Sequence, residues 1–288
     1  VEALFALGDS PAATVSAELV GPRRPLATRV ALMRVGGRLL ARPAVPGRGT
    51  GAARADGLIR SVAGDRVEVE LLDECAPRPS LVMLGGDPSF GILAESLARE
   101  RGVELSWWPM GSTAALEALA RGEAHVAGVH LLDAESGGYN GPWIERLLPF
   151  PVTRIGFAIR ELALLLAESN PLGIHALEDL PRPEVRFLNR EPGSGSRVLL
   201  DHSLTTRGVD GAAIPGYDTT AASGHFAVAE AVAAGAADCG IALTAAARAY
   251  GLGSLPLGEE RDELVVPNQF LDHPAMEALL DHLRDRRF

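Results

Sequence analysis

Two patterns of apolar and polar positions divide the chain. The first pattern is a series of short β-like runs: Thr14 to Leu19 and Arg66 to Leu71 alternate with a period of two, and Arg29 to Val35 and Arg38 to Arg42 lie between them. Such alternation predicts strands with one buried face. Gly36-Gly37 separates the two middle runs and suits a two-residue hairpin turn. Short strands with frequent turn glycines predict a small β-barrel or sandwich.

The second pattern begins near residue 81, where apolar runs alternate with helical stripes. Leu81 to Leu84 is a buried-strand run, followed by a helix stripe that begins at Phe90. A strand from Val103 to Trp107, a helix started by Gly111-Ser112-Thr113 and a strand from Ala124 to Leu132 come next. The order βαβαβ predicts a parallel sheet with right-handed crossovers.

The remaining elements extend this α/β region. Strands are predicted for Thr153 to Ile159, Leu162 to Leu166, Val185 to Leu188 and Cys239 to Leu243. Helices are predicted for Ile174 to Leu180, Val198 to Leu204, the stripe around Phe226 and the segment from Pro274 onward. We therefore predict a small all-β barrel domain at 1–73, a proline-containing linker at 74–80 and a two-lobed α/β domain at 81–288. Lobe 1 would comprise about 81–158 and 244–288, and lobe 2 about 159–243.

Composition narrows the functional classes. The 288 residues are 47% apolar, enough for two cores, and carry a net charge of −10, which argues against a nucleic-acid partner. The chain contains no lysine, which excludes a P-loop lysine, a pyridoxal Schiff base and a lysine general base. Cys75 and Cys239 are too few for a disulfide framework. No apolar run reaches membrane length, so we expect a cytoplasmic protein, although a chain that opens at Val1 is expected to be a fragment.

The segment Asn189 to Arg197 carries the strongest chemical signal. It reads Asn-Arg-Glu-Pro-Gly-Ser-Gly-Ser-Arg and joins a strand to a helix start. Free backbone N–H groups and the positive end of the helix dipole favour an anion there. The alternative interpretation is an ordinary capped helix, with Ser194 or Ser196 as the cap.

Two further helix starts lie at the predicted carboxyl edge of the same sheet. They are Asp87-Pro88-Ser89 and Gly111-Ser112-Thr113. Each alone is a plain N-cap, but ligands in such sheets bind at this edge, so together they predict a shared anion site. The predicted ligand-binding residues are Asp87, Ser89, Ser112, Thr113, Tyr139, Asn140, Arg190, Ser194, Gly195, Ser196 and Arg197.

Some of these residues have equally ordinary alternatives. Arg190 and Arg197 would add charge-assisted contacts, yet each is as readily a surface ion pair. Tyr139-Asn140 follows a flexible Ser-Gly-Gly and would form a lid or an ordinary loop. His125 and His130 do not form a metal pair on the predicted strand, and His225 is a cap, a rim residue or a ligand contact. We predict no catalytic residue and no metal ligand.

The first region resembles a known domain. The segments TRVALMRVGGRLLARP, GRGTGAARADGLIRSVAG and DRVEVELL, with Asp56-Gly57 at the turn, are similar to the C-terminal β-barrel of the molybdopterin molybdenumtransferase (MoeA) family. In that family the catalytic domain, which holds molybdopterin and Mg, lies upstream of this barrel. The resemblance covers about a quarter of the chain and implies no metal insertion by the chain as given.

The second region resembles the molybdate-binding-protein-like domain of the type II periplasmic binding protein fold. The matching segments include GGDPSFGILAESLA, GSTAALEALARGEAHVAGVHLLDAESGGYN and NREPGSGSRVLLD. The sequence departs from this group at Arg261-Asp262-Glu263, where relatives have an aromatic or acidic residue, and at Arg160-Glu161-Leu162-Ala163, where many have Gln-Gly. The departures place the identity of the ligand in question.

The resemblance implies a module that binds molybdate or tungstate, for sensing or for delivery to a molybdenumtransferase domain. Its partners would be a small oxyanion and a second copy in a homodimer, without nucleic acid or membrane. Two alternatives stay open: a regulatory or interaction module that binds a small organic effector, and a structural domain that binds nothing.

Overall fold

A computed structural model describes residues 13–21, 24–44, 55–72, 80–219 and 221–285. These divide into two compact units. Unit 1 spans 1–82, 91–108 and 272–288, and unit 2 spans 83–90 and 109–271. The predicted fold class is confirmed: a small N-terminal β domain precedes a two-lobed α/β domain. The predicted linker, Cys75 and the glycine loop at 47–51 lie outside the described residues, and the predicted domain boundaries stay predictions.

The strands are β1 (Thr14–Leu19), β2 (Arg29–Val35), β3 (Arg38–Pro43), β4 (Gly57–Ala63), β5 (Arg66–Leu71), β6 (Ser80–Leu84), β7 (Glu104–Trp108), β8 (Val126–Val129), β9 (Val152–Leu166), β10 (Phe187–Arg190), β11 (Ala221–Ala222), β12 (Cys239–Leu243) and β13 (Gly253–Pro267). The helices are α1 (Ser89–Arg101), α2 (Ser112–Ala120), α3 (Gly141–Leu147), α4 (Gly195–Arg207), α5 (His225–Ala233), α6 (Thr244–Ala249) and α7 (Pro274–Arg284).

The barrel of unit 1 closes in the strand order β1-β3-β2-β4-β5. Gly36 and Gly37 form the turn between β2 and β3 with φ values of 55° and 82°, a left-handed conformation that glycine adopts without strain. The side chains that alternate inward form one core: Ala17, Val30, Leu32, Ala41, Ile59, Val67 and Val69. The sequence pattern therefore predicted β1, β2, β3 and β5, whereas β4 was not predicted.

The sheet of unit 2 is mixed rather than fully parallel. Its strand order is β11-β10-β12-β9-β13-β8-β6. The pairs β6–β8, β10–β12 and β10–β11 are parallel, as the βαβ pattern predicts. The pairs of β9 and β13 with their neighbours are antiparallel, so the centre of the sheet departs from the prediction.

One continuous strand replaces two predicted ones at the centre of this sheet. β9 runs unbroken from Val152 to Leu166 and pairs with β13, which is equally long. The prediction of separate strands was wrong because Arg160 and Glu161 interrupt the apolar pattern. In the structure the two strands continue through them, and Arg160 lies directly opposite Glu260.

Alternate residues at the end of β9 face two different cores. Leu162, Leu164 and Leu166 pack into one cluster, whereas Ala163 and Leu165 pack into another on the opposite face. Because both faces are covered, this part of β9 is apolar at every position.

Three other predicted elements differ at their ends. The predicted short helix from Ile174 to Leu180 is one 3-10 turn, Leu177–Asp179, and the predicted strand from Ala124 to Leu132 is limited to β8. α4 begins at Gly195 rather than Val198, because the Ser194 side chain accepts a hydrogen bond from the Arg197 backbone N–H and caps the helix.

Candidate functional site

The pairing of β9 with β13 assembles a group of charged side chains inside unit 2. Arg160 lies opposite Glu260, and Asp262 follows two residues later on the same strand. Residues two apart on a strand share a face, so both carboxylates and the guanidinium point to the same side. Asp87, before α1, and His130, after β8, complete this group, which we name the Arg160 cluster.

The guanidinium of Arg160 lies among three buried carboxylates. One terminal nitrogen is 2.9 Å from Asp87 Oδ2, and Nε is in ion-pair contact with Asp262 Oδ2. The other terminal nitrogen is 4.0 Å from Glu260 Oε2, too far for a hydrogen bond. The contacts with Asp87 and Asp262 lack hydrogen-bond geometry, so they are ion pairs only. Burial is the main cause that raises the pKa of Asp87, opposed by Arg160.

His130 is the second basic residue of this cluster. Its Nδ1 is 3.0 Å from Asp262 Oδ1 and 3.4 Å from Ser112 Oγ. Burial alone lowers the pKa of His130, but the carboxylates of Glu260 and Asp262 outweigh it and raise the pKa above its usual value. Within the described part of the chain, His130 Nε2 has no hydrogen-bond partner.

The N-terminal ends of α2 and α4 meet beside this cluster. Thr113 Oγ1 donates a hydrogen bond of 3.2 Å to the carbonyl oxygen of Gly193. At the start of α4, a Cβ on Gly195 would collide with the carbonyl oxygen and the ring of His130, so only glycine allows this approach. The predicted convergence of two helix starts is therefore present in unit 2.

Ser112, Ser194 and Ser196 are buried, Ser89 is half-buried, and all four predicted serines are engaged with protein groups. Ser112 Oγ accepts a 3.2 Å hydrogen bond from the His130 backbone N–H. Ser196 Oγ donates a 2.9 Å hydrogen bond to Glu260 Oε1. Ser194 caps α4, and Ser89 donates its backbone N–H to Asp87 Oδ1 at 2.7 Å. Their contacts with a ligand stay predictions.

Tyr139 and Asn140 hold the neighbouring loop. Tyr139 donates its hydroxyl to the carbonyl oxygen of Glu259 at 2.6 Å, and burial raises its pKa to about 12. Asn140 is fully buried with a φ of 61°, and its side chain bridges the Leu131 backbone N–H and the Arg261 carbonyl oxygen. In the structure both residues fasten this loop to β13, and a lid function stays a prediction.

The two predicted arginines differ in their partners. Arg197 donates to Asp201 at 3.1 Å and to Asp218 at 2.7 Å, and its guanidinium lies 4.1 Å from the ring centre of Tyr217. Arg190 is 2% exposed; it donates to the carboxylate of Glu191 and lies 2.9 Å from His225 Nδ1. We name Arg190, Glu191 and His225 the Arg190 cluster.

The residues at the centre of the Arg160 cluster were not among the predicted site residues, except Asp87. Arg160 and Asp262 belong to the two segments that depart from the resembling group. His130 was set aside because the sequence offered it no metal partner. The available signal was the cost of burying charge: Arg160, Glu260 and Asp262 interrupt apolar strand patterns, and such residues are buried only with partners.

A separate groove of about 410 Å³ lies elsewhere in unit 2. It is lined mainly by apolar groups, including Pro183, Phe187 and Ala237, together with Arg186. The Arg186 guanidinium is paired with Asp238. The groove contains none of the buried charges of the two clusters.

Comparison with known proteins gives the family. A family model described as PBP superfamily domain matches residues 94–284, which is more than half of the chain. The chain belongs to the PBP superfamily domain family. The uncharacterized protein YvgK of Bacillus subtilis (strain 168) is 36% identical over 194 residues, which cover 66% of this chain and 61% of that protein. The chain thus spans less than two thirds of the length of this relative.

Solved structures share the fold of the PBP domain at low sequence identity. A tungstate ABC transporter structure from Geobacter sulfurreducens has a TM-score of 0.53 and 16% identity, covering 72% of this chain and 95% of that chain. A phosphate-bound putative phosphate transporter substrate-binding protein from Clostridium perfringens has a TM-score of 0.52 and 13% identity, covering 73% of this chain and 94% of that chain. The effector-binding domain of QuiR in complex with shikimate has a TM-score of 0.51 and 14% identity, covering 72% of this chain and 95% of that chain.

The described residues contain neither a metal-binding cluster nor a helix that could span a membrane. No group of His, Cys, Asp and Glu side chains in the described ranges is arranged to hold a metal ion. No described helix has the length and apolar character that crossing a bilayer requires.

Proposed function

We propose that the PBP domain of this chain binds a small oxyanion between the helix starts of unit 2, and that molybdate and tungstate are the first ligands to test. The binding would serve sensing, or delivery to a molybdenumtransferase domain. The observation that carries the proposal is the meeting of α2 and α4 at Thr113 and Gly193 beside Arg160 and His130.

The local electrostatics support an anionic group at this point. The N-terminus of each helix presents unpaired backbone N–H groups and the positive end of a dipole. Arg160 retains 13% exposure of its side chain and is the cation nearest to the carboxylates of the cluster. The overall net charge of −10 repels anions, so local donors must provide the attraction.

Thr113 and Gly193 join the two helix starts by a hydrogen bond between neutral groups, and such a bond contributes about 0.5–1.5 kcal/mol net. Ligand entry would also require Gly195 to move away from His130, against which it packs.

Thermal unfolding of the full chain tests the proposal with molybdate, tungstate, sulfate and phosphate in parallel. A ligand at a concentration of 100 times its dissociation constant stabilises the folded state by about 2.7 kcal/mol. That corresponds to a rise in Tm of roughly 5–10 °C for a domain of this size.

Matched variants of α4 locate the binding site. Ser196→Ala should reduce the ligand-induced rise in Tm, whereas Ser203→Ala should leave it unchanged, because the Ser203 hydroxyl donates to the Leu199 carbonyl oxygen of its own helix. A rise of equal size in both variants, or no rise with any anion, would sink the proposal.

A further inference from the structure

We infer that the ligand of this site carries a hydrogen-bond donor beside its oxyanionic group, and that the donor binds to the carboxylate oxygen Oε2 of Glu260. The inference rests on the proposed function and narrows it. A hydroxyl or an ammonium group would meet this requirement, and so would the hydrogen of a singly protonated inorganic oxyanion.

The first reason is an acceptor without a donor. Glu260 is fully buried, and its Oε1 receives the hydroxyl hydrogen of Ser196 at 2.9 Å. Its Oε2 has no hydrogen-bond partner in the described part of the chain, and Arg160 is 4.0 Å away. A buried carboxylate oxygen without a donor is costly, so a ligand that supplies one gains affinity.

The second reason is the balance of charge. Asp87, Glu260 and Asp262 bring three carboxylates, whereas Arg160 and a protonated His130 bring two positive charges. A fully ionised dianion such as molybdate, tungstate or sulfate carries only acceptors, so it would place its oxygens against these carboxylates with no hydrogen between them. A ligand of the same charge that bears a hydrogen avoids this contact by donating to a carboxylate oxygen.

The third reason is the position of the donors for the anionic end. Among the described residues His130 Nε2 has no hydrogen-bond partner, and it lies beside the start of α4, since a Cβ on Gly195 would be 2.9 Å from it. Ser196 donates its hydroxyl hydrogen to Glu260 and therefore acts as a positioning residue for that carboxylate. The cluster thus contains a ring nitrogen of His130 and a carboxylate oxygen of Glu260 that no described group hydrogen-bonds.

Matched ligands test the inference on the unaltered chain. Isothermal titration calorimetry would compare the hydrogen phosphate dianion with sulfate and monofluorophosphate, which have the same charge and a similar shape but no hydrogen. A second pair, glycolate against acetate, examines an organic acid with and without a hydroxyl. The hydrogen-bearing member should bind about 10- to 100-fold more tightly, because a buried charged acceptor is otherwise left unpaired.

A variant reverses the hydrogen-bonding character of the site. Glu260→Gln replaces the acceptor by an amide that also donates, so the preference for hydrogen-bearing ligands should fall at least about tenfold and sulfate or molybdate should bind more tightly. Glu259→Gln removes the same charge from the neighbouring exposed position and should keep the original preference. If Glu260→Gln does not fold, the binding of the two ligand pairs to the unaltered chain tests the inference without the variant.

The outcomes separate this inference from the proposed function. Equal or tighter binding of sulfate, monofluorophosphate or molybdate would overturn the inference and leave oxyanion binding standing. No binding by any ligand would overturn both. Binding of phosphate alone would support an inorganic ligand with a hydrogen, and binding of glycolate alone would support an organic acid with a donor.

Discussion

Unit 2 buries two arginine–histidine pairs that use the same residue types in opposite electrostatic settings. Arg160 faces the carboxylates of Asp87, Glu260 and Asp262. Arg190 is paired with the half-buried carboxylate of Glu191 and lies against the ring of His225. One cluster has more negative than positive charge, and the other has a cation beside a neutral ring.

The histidines report this difference directly. The carboxylates of Glu260 and Asp262 overcome burial and raise the pKa of His130. Burial first, then the positive charges of Arg190 and Arg160, hold the pKa of His225 well below its usual value. Burial alone therefore does not set the pKa of a histidine, because neighbouring carboxylates reverse the effect of burial.

Loss of each arginine should give the largest difference between the clusters. Arg160→Met leaves three buried carboxylates with His130 as their cation, and we expect it to lower the free energy of unfolding by about 3–5 kcal/mol. Arg190→Met should lower the free energy of unfolding by about 1–3 kcal/mol, because Glu191 reaches water and His225 loses a repulsive neighbour. Urea unfolding of both variants measures these free energies, and equal losses would contradict the electrostatic difference between the two clusters.

The two histidines should make the free energy of unfolding depend on pH in opposite directions, by up to about 1.4 kcal/mol per pH unit each. Because the pKa of His225 is lowered on folding, its contribution is present above the unfolded pKa, about 6.5, and is lost as pH falls below it. His225→Gln should therefore lose less stability on acidification than the unaltered chain. Unfolding free energies measured across this range would contradict the assignment if the two curves ran parallel.

His130 supplies the matched comparison. Because its pKa is raised on folding, its contribution is complete below about pH 6.5 and is lost as pH rises through the higher folded pKa. His130→Gln should remove this loss on the alkaline side while leaving the acidic loss from His225 in place. The same unfolding free energies measured against pH test this, and an unchanged loss of stability at alkaline pH would argue against a protonated His130.

Single carboxylates should give the smallest effects. Glu191→Gln removes the carboxylate paired with buried Arg190 and should lower the free energy of unfolding by about 1 kcal/mol. Asp87→Asn removes one of three carboxylates around Arg160 and keeps an oxygen for the Ser89 backbone N–H, so its effect should stay within about 0.5 kcal/mol. A larger loss in Asp87→Asn than in Glu191→Gln would contradict the excess of negative charge in the Arg160 cluster.

Local features of the sequence determined much of the fold. Short β-like runs and Gly36-Gly37 predicted β1, β2, β3 and β5 and the hairpin between β2 and β3, but not β4. The Gly/Ser segment before α4 predicted a capped helix start, and Ser194 is that cap. These predictions succeeded because each depends on residues within one turn or one strand, where backbone and side-chain preferences act directly.

Only the tertiary structure decided how the charged residues assemble. Arg160 and Glu260 are 100 positions apart in the sequence, and the register of β9 against β13 places them opposite each other. A shift of one residue would send these side chains to the other face of the sheet, and no local pattern specifies that register. The sequence by itself determined helix starts suited to an anion, whereas long-range strand pairing placed three carboxylates and His130 beside them.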